Sequence, residues 1–497
     1  MSGNRITRNA IMAVAQVIVS GGVYFLLYRY LLRTIGSGQV GIWVIVFATA
    51  SVSRVSEMGF TESAVKYTAK YIARGEISKA SEVIQTTVIT IGMFLACVLA
   101  GGYPIIAWLM GKVIPTAQMM SALSILPYAL ISVWIGTVGG VFLSGLDGCQ
   151  RIDLRVLISM LASVIFLVLT WILVPGYGLI GLAWAQTGQG VVILLGSWVL
   201  LQRELPSLPI LTFKWRYSLF REMLHYGFNF QIISIFGMLI DPTTKALMAK
   251  FGGLTSVAYY AMANRMVTQF RSLVVSANQV LVPQVANLHE TAPGEIRKFY
   301  LDSYRVIFFF ALPLFAGVAA VAPLASVLWI GHYEQSFIFY TILISVSYWL
   351  NTLTGPAYFV NLGTGLLRWN TWSFVVMAPL NLALGYFLGV AFGGGGVATG
   401  YVLALLIGSS LVILGYHRDQ HIPLAELLPR ESKQLSIACC IGLMVSWSTL
   451  HFLQMPAGSV AKSGLSLTMF TIVIAPVLWM HPLRKKISYR LAAAFHN

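Results

Sequence analysis

Charged residues are scarce in this sequence: Asp, Glu, Lys and Arg together make up 10% of its 497 residues, whereas hydrophobic residues make up 58%. Soluble domains carry about 25% charged residues, so most of the surface of this protein does not face water. The mean hydropathy of +0.79 leads to the same conclusion. A helix needs about 20 apolar residues to cross a bilayer, and about fourteen such helices with short loops use the whole length. No length remains for a sizeable soluble domain.

Cysteine, histidine and the signatures of common enzymes are also sparse. The four cysteines are Cys97, Cys149, Cys439 and Cys440, and no pair of them has metal-ligand spacing with a histidine partner. A disulfide framework is therefore not expected. The chain contains no GxxxxGK[ST], HExxH or GxSxG motif, and its eight histidines are scattered. We expect a protein that is not an enzyme and that holds no cofactor or metal.

Acidic residues are half as numerous as basic ones, 16 against 32, which gives a net charge of +16. Such an excess is also found in nucleic-acid-binding proteins, but here the basic residues are spread singly through short loops. The positive-inside rule explains them better. Placing both termini in the cytoplasm puts the large majority of Lys and Arg on the cytoplasmic side. The bias predicts cytoplasmic termini and an even number of helices, with no nucleic-acid partner.

The apolar runs predict an all-α polytopic membrane protein with about fourteen transmembrane helices. The predicted spans are 10–32, 39–57, 83–103, 119–143, 156–174, 179–201, 223–248, 257–282, 305–329, 337–358, 371–392, 397–416, 435–455 and 465–481. The first span follows Arg5 and Arg8 but is too long for the apolar region of a typical signal peptide. We expect it to be an uncleaved first helix.

Landmark residues recur along the chain at offsets close to one value. The recurring landmarks are Gly36 with Trp43 against Gly252 with Tyr259, Gly148-x-x-Arg151 against Gly365-x-x-Arg368, and Gly181-Leu182-Ala183 against Gly396-Val397-Ala398, at offsets of 216, 217 and 215 residues. They predict two six-helix bundles, at 1–205 and 206–430, with two extra helices and a basic tail at 431–497. Six is even, so both bundles have the same orientation, an arrangement in which transporters bind substrate between the halves.

The eighth predicted helix has a polar half, and ionisable residues within a span suggest function because they are costly there. On a 100° wheel the polar half contains Asn264, Arg265, Thr268, Gln269, Arg271, Ser272, Ser276, Asn278 and Gln279. It faces either a water-filled cavity or a polar helix interface. The presence of two arginines on the same half favours the cavity.

Two other spans carry oppositely charged residues at helical spacing. Asp241 and Lys245 lie four residues apart, and Pro242 is expected to kink their helix. The pair forms either a hinge with an ion-responsive carboxylate or a neutral structural ion pair. Arg54 and Glu57 lie three residues apart and are placed to neutralise each other, or Arg54 belongs to an anion site.

Basic residues outnumber acidic ones in and near these spans, and fixed positive charge favours an anionic ligand. Arginine suits phosphate groups because its planar fork binds two oxygens. The candidate substrate-binding residues are Arg29, Arg54, Lys245, Arg265, Gln269 and Arg271, and the candidates for ion coupling are Glu57 and Asp241.

Several motifs resemble those of the Wzx-type polysaccharide flippases, in the superfamily that also holds the multidrug and toxin extruders. The matching residues are Asn9 in the first helix, Ile35-Gly36-x-x-x-x-Gly41-Ile42-Trp43, Glu57-Met58-Gly59, Lys66-Tyr67, Gly145-x-x-Gly148-x-Gln150-Arg151, Asp241 with Lys245, Phe251-Gly252 and Tyr259-Tyr260. The resemblance covers nearly the whole chain. It implies fourteen helices in two bundles around a central cavity.

The resemblance also implies a function. Members of the flippase family move a polyprenyl-pyrophosphate-linked oligosaccharide from the cytoplasmic to the external leaflet of the bacterial inner membrane. The oligosaccharide is used to synthesise lipopolysaccharide O-antigen or exopolysaccharide. Expected partners are membrane lipids, the lipid-linked substrate, a polysaccharide polymerase and its chain-length machinery, and H⁺ or Na⁺ is expected to drive transport. Two alternatives remain: a multidrug extruder of the same fold, and a membrane-embedded polymerase or transferase.

Overall fold

The structure is a computed structural model that describes residues 3–57, 59–209, 214–279, 285, 288–289, 291–453 and 459–484, with the backbone alone described at 3–11, 13–14, 56, 225–234 and 276–279. The regular elements of the described chain are all helical. The α-helices are α1 (Gly3–Thr34), α2 (Gly36–Ser51), α3 (Phe60–Ala73), α4 (Ile77–Gly111), α5 (Thr116–Gly148), α6 (Ile152–Glu204), α7 (Tyr217–Gln279), α8 (Ile296–Trp329), α9 (Gln335–Leu353), α10 (Gly355–Thr364), α11 (Arg368–Asp419), α12 (Lys433–Phe452) and α13 (Val460–Met480).

Three helices are long enough to hold two membrane spans each. An unbroken helix with the 53 residues of α6 would be about 80 Å long, whereas the hydrocarbon core is about 30 Å thick. Helix α6 is broken at Gly178 (φ 52°), α7 at Gly253 (φ 78°) and α11 at Gly393 (φ 59°). Each break lies between two predicted spans. The polytopic helical fold expected from the apolar runs is confirmed.

Ten helices of the described chain are long and apolar enough to cross a membrane. Helices α6 and α11 are each counted once among these ten, and α7 is not one of them. Dividing α6 and α11 at their glycines gives twelve spans, and the two segments of α7 on either side of Gly253 bring the number to the fourteen expected.

Glycines permit a close approach of the backbone just after two of the breaks. A Cβ at Gly181 would lie 2.5 Å from a carbonyl oxygen of the preceding helix segment, and a Cβ at Gly396 would overlap the corresponding oxygen outright. The breaks at Gly178 and Gly393 are separated by the same offset as these two glycines. The same backbone conformation, a break followed by a closely packed glycine, therefore occurs twice at the spacing of the landmark residues. The bundle boundaries at 205 and 430 stay a prediction.

By its contacts, the chain forms two compact units, residues 1–258 and 259–497. In the second unit, α12 and α13 pack against α8. Phe309 on α8, Leu435 and Cys439 on α12, and Phe470 and Ile474 on α13 share one buried apolar cluster. All four cysteines are free, as expected.

Helix α3 lies in a region that the sequence analysis treats as a loop. Helix α2 continues into a 3-10 turn, Val52–Glu57, and Gly59 adopts a left-handed conformation (φ 70°) before α3 begins. With 14 residues, α3 is too short to span a bilayer. Its buried face includes Tyr67 and Thr68, and a Cβ at Gly148 of α5 would lie 2.7 Å from the Cβ of Thr68. The loop expected here is therefore a packed amphipathic helix.

The segment before α7 is bonded to α3 and α4 within the first unit. Arg216 Nε lies 2.6 Å from Glu82 Oε2, and Lys70 Nζ lies 2.9 Å from Glu222 Oε1. The Ser63 hydroxyl donates to the Met223 carbonyl oxygen at 3.0 Å. The start of α7 is thus fixed to the surface that the charge bias predicts to be cytoplasmic.

We expect Gly396→Ala to destabilise the protein by about 1–3 kcal/mol, the usual cost of overpacking a tight contact, because the added methyl group overlaps a backbone oxygen. The control is Gly464→Ala in α13, where nothing lies within 4 Å of the added Cβ; it should be neutral or stabilising by about 0.5–1 kcal/mol. Thermal unfolding of the two purified variants in detergent measures the difference. Equal melting temperatures would show that the backbone at the break is not constrained as described.

Candidate functional site

In the first unit, Arg54 and Glu57 form an ion pair on the 3-10 turn that ends α2. Arg54 Nε lies 2.7 Å from Glu57 Oε1, and the Thr61 hydroxyl donates to Glu57 Oε2 at 3.2 Å. The Arg54 side chain is 48% exposed and that of Glu57 is 14% exposed. The pairing inferred from their spacing is confirmed, and it offsets the charge of Arg54 locally.

A second ion pair lies on α7. Lys245 Nζ is 2.7 Å from Asp241 Oδ2, with side chains 17% and 46% exposed. The backbone around Pro242 keeps helical angles, and the break in α7 lies at Gly253. The hinge expected at Pro242 is therefore not where the helix breaks. Two polar residues expected on the same face, Gln231 and Ser234, have side chains outside the described residues.

In the second unit, the polar half of the eighth predicted span contacts Tyr348 on α9, which is bonded in turn to α11. The Tyr348 hydroxyl on α9 donates to Asn264 Oδ1 at 3.1 Å, and the Tyr401 hydroxyl on α11 donates to the Tyr348 hydroxyl at 3.2 Å. The Arg271 guanidinium carbon lies 5.2 Å from the centre of the Tyr348 ring. At Asn264, the polar half therefore forms a helix interface, which is one of the two alternatives.

Burial does not separate the two sides of this helix. Arg265, Gln269 and Arg271 are half-buried, and so are Met266, Phe270 and Leu273 on the apolar half, where Val267 and Val274 are buried. The cavity at the arginines therefore stays a prediction. Of the residues assigned to the polar half, Ser276, Asn278 and Gln279 have side chains outside the described part of the chain.

The structure brings some of the eight candidate residues together. Arg54 meets Glu57, and Lys245 meets Asp241. Arg271 lies over the neutral ring of Tyr348 and forms no ion pair with any described residue. Arg29 on α1 is half-buried.

The partners on α9 and α11 were not predicted from the sequence. The Tyr348 hydroxyl contacts Asn264 on the polar half of α7, and the Tyr401 hydroxyl contacts Tyr348 in turn. Between α9 and α11, Asn351 Nδ2 donates to the Ser409 hydroxyl at 3.0 Å. Ser345, Tyr348 and Asn351 follow one another at intervals of three residues. A helical wheel of the tenth predicted span would have shown them on one side.

The motif around Trp43 has a packing role. Trp43 Nε1 donates to Gln186 Oε1 at 2.6 Å, and its ring lies 6.0 Å from that of Tyr28 and 6.3 Å from that of Phe166, between ring centres. A Cβ at Gly41 would overlap the Leu254 carbonyl oxygen on α7. These motif residues hold α1, α2, α6 and α7 together in the first unit.

The motif between α5 and α6 forms an ion-pair network. Gln150 adopts a left-handed conformation (φ 60°), after which Arg151 pairs with Glu204 and, at 3.2 Å, with Asp153. The hydrogen bond that Arg151 donates to Asp153 raises the pKa of Arg151, which therefore stays charged. Burial raises the pKa of the Cys149 thiol to about 11.

Cys149 should react slowly with thiol reagents at neutral pH, because the reactive thiolate forms only as the pH approaches its raised pKa. The measurement is the pH dependence of maleimide labelling in a variant with Cys149 as its single cysteine. Its control is a variant that lacks Cys149 and carries Ser218→Cys at an exposed position at the start of α7. A labelling midpoint for Cys149 as low as that of the control would contradict the buried environment.

The chain is similar to known proteins in sequence and in fold. The model of a family described as "Polysaccharide biosynthesis protein" matches residues 26–335. No curated protein matches the chain in sequence. The lipid II flippase MurJ in an inward closed conformation shares 14% identity with a TM-score of 0.72, covering 98% of this chain and 99% of that one.

Two further structures have the same fold. A multidrug resistance MATE family transporter of the MOP superfamily, in an inward-facing conformation, has a TM-score of 0.69 and 16% identity, covering 82% of this chain and 98% of that one. A MOP superfamily transporter from Pyrococcus furiosus has a TM-score of 0.57 and 15% identity, covering 84% and 95%. These three proteins are named as transporters or a flippase, not as enzymes. The fold of this multi-pass membrane protein is that of the MOP superfamily transporters and flippases. Because the family model matches more than half of the chain, the protein belongs to the polysaccharide biosynthesis protein family.

Proposed function

We propose that the protein is a flippase that moves a polyprenyl-pyrophosphate-linked oligosaccharide from the cytoplasmic to the external leaflet by alternating access. The observation that carries this proposal is the environment of Arg271. Its guanidinium lies within a predicted span, over the neutral ring of Tyr348, and makes no ion pair with a described acid.

Charge pairing separates Arg271 from two other candidates. Arg54 and Lys245 each have a carboxylate at 2.7 Å, so an incoming anion would have to compete with Glu57 or Asp241. Arg271 has no such competitor among the described residues. Electrostatic attraction is stronger in surroundings of low dielectric constant than in water, and the planar fork of arginine matches two phosphate oxygens. A pyrophosphate group fits this environment.

The family and the fold also support a lipid-linked passenger. The family is described as one of polysaccharide biosynthesis proteins. One protein that shares the fold over 98% of this chain is a lipid II flippase. We therefore assign the protein to the bacterial inner membrane and to O-antigen, other lipopolysaccharide or exopolysaccharide synthesis. A polymerase and its chain-length machinery would act on the product.

Ion coupling is proposed to act through Asp241 or Glu57. Each carboxylate already holds a basic side chain, Lys245 or Arg54. A proton or Na⁺ that binds the carboxylate would weaken the pair and leave the basic group free for an anion. Ion binding at the acid and anion binding at the base would then favour each other.

A multidrug extruder remains the alternative, because two transporters of this fold bear the MATE or MOP name. Extruders of cationic drugs generally need accessible acids within the membrane, but Glu57 and Asp241 are both paired with basic groups. An embedded polymerase or transferase is less well supported. Glu334, an acid in a predicted external loop, caps α9 by accepting from the Ser336 backbone N–H at 3.2 Å.

Replacing Arg265 and Arg271 together by Ala should reduce surface polysaccharide by about tenfold or more, because removing charged contacts with a buried anion costs about 2–5 kcal/mol. The measurement is polymer display in a deletion strain complemented with each variant, with protein level followed by immunoblot. The control is Arg297→Ala with Lys298→Ala, two exposed basic residues at the start of α8. Normal display by the Arg265 and Arg271 double variant would contradict an anion site at these positions.

Deleting the gene should abolish surface polysaccharide and leave drug susceptibility unchanged, because the available basic group favours an anionic passenger over a cationic drug. The measurement is a susceptibility panel of cationic drugs beside a polysaccharide assay, with complementation by the wild-type gene as control. Broad sensitisation with intact polysaccharide would favour the extruder.

A further inference from the structure

We propose that Tyr348 is a positioning residue for the anionic group of the passenger: its ring holds the Arg271 guanidinium in place without neutralising it. The inference rests on the proposed function and names the residue on which the anion site depends. Tyr348 was not singled out from the sequence, because its contacts with Asn264 and Arg271 join different helices.

The contact between the two side chains has the geometry of a cation–π interaction. The guanidinium carbon of Arg271 lies 5.2 Å from the centre of the Tyr348 ring, within the range of about 6 Å over which a ring attracts a cation. Arg271 Nε is buried and has no hydrogen-bond partner among the described residues. The ring is therefore the contact that orients this guanidinium within the described part of the second unit.

Tyr348 is itself fixed by two hydrogen bonds. Its hydroxyl donates to Asn264 Oδ1 on α7 at 3.1 Å and accepts from the Tyr401 hydroxyl on α11 at 3.2 Å. One helical turn further along α9, Asn351 Nδ2 donates to the Ser409 hydroxyl on α11 at 3.0 Å. The ring is thus held through its hydroxyl group, and its face remains available to contact Arg271.

A ring and an acid hold an arginine with different consequences. A carboxylate uses N–H groups of the guanidinium and cancels its charge, as Glu57 does for Arg54 at 2.7 Å. An aromatic face attracts the cation but accepts none of the N–H groups at the edge of the guanidinium plane. Arg271 therefore keeps its positive charge and, besides the buried Nε, its two terminal N–H₂ groups for a ligand with paired oxygens, such as a phosphate or pyrophosphate.

The test measures binding of farnesyl pyrophosphate to the purified full-length protein in detergent, with farnesol as the uncharged control. Tyr348→Phe keeps the ring and should bind within about threefold of the wild type, because the cation–π contact remains. Tyr348→Leu should bind about tenfold more weakly, which corresponds to about 1.4 kcal/mol. Tyr386→Leu, at an exposed position on α11, is the matched control and should bind like the wild type.

A double-mutant cycle separates positioning from a general structural effect. In the background of Arg271→Gln, Tyr348→Leu should cause no further loss of binding, since its effect acts through the missing guanidinium. Additive losses would overturn the inference, because they would mean that Tyr348 acts independently of Arg271. If Tyr348→Leu does not fold, Tyr348→Glu supplies an acid that pairs with Arg271, and it should bind farnesyl pyrophosphate at least as weakly as Arg271→Gln.

The outcomes distinguish the inference from the proposed function. A wild-type protein that binds farnesyl pyrophosphate no better than farnesol would overturn both. Wild-type binding that Arg271→Gln weakens and that neither Tyr348→Leu nor Tyr348→Glu alters would overturn the positioning role alone. Strong loss in Tyr348→Phe would also overturn it, since the hydroxyl rather than the ring would then be essential.

Discussion

A charged side chain in a hydrocarbon layer must recover the interactions that it loses on leaving water, and this constraint governs the spans of this protein. Arg54 and Lys245 recover them from carboxylates at 2.7 Å. Arg271 recovers part of them from the face of Tyr348. Pairing with a carboxylate gives a neutral pair, whereas contact with an aromatic ring leaves the positive charge of the arginine in place. Since the chain has half as many acids as bases, the placement of its few acids decides which bases remain available to a ligand.

The same constraint applies to the backbone. Within hydrocarbon, each N–H and C=O group needs a hydrogen-bond partner, which favours continuous helices. The long helices of this fold meet this requirement and change direction at single glycines, with φ of 52° at Gly178 and 59° at Gly393. Helices such as α7 therefore carry polar side chains at defined depths, and Asn264 and Arg271 reach their partners on α9 from a regular backbone.

Local features were predictable from the sequence, and long-range contacts were not. Apolar runs located the spans because hydropathy depends on composition alone, and the pairing of Arg54 with Glu57 followed from helical spacing. The contact between Asn264 and Tyr348 joins residues 84 positions apart, which no local pattern encodes. Helix α3 was missed because its lysines resemble those of a loop. The interruption at Gly253 lies between two predicted spans, as expected, whereas Pro242, where a kink was expected, fits within the helix.

The glycine breaks also bear on how much of the chain is accessible on the external face of the membrane. At Gly178 and Gly393, two spans follow each other within one helical element and no separate loop connects them. On the side that the charge bias predicts to be external, these crossings offer little chain to a labelling reagent or a protease. An epitope tag would be better placed in the turn between α4 and α5 or between α8 and α9, where exposed residues such as Lys112 and Tyr333 lie between helices.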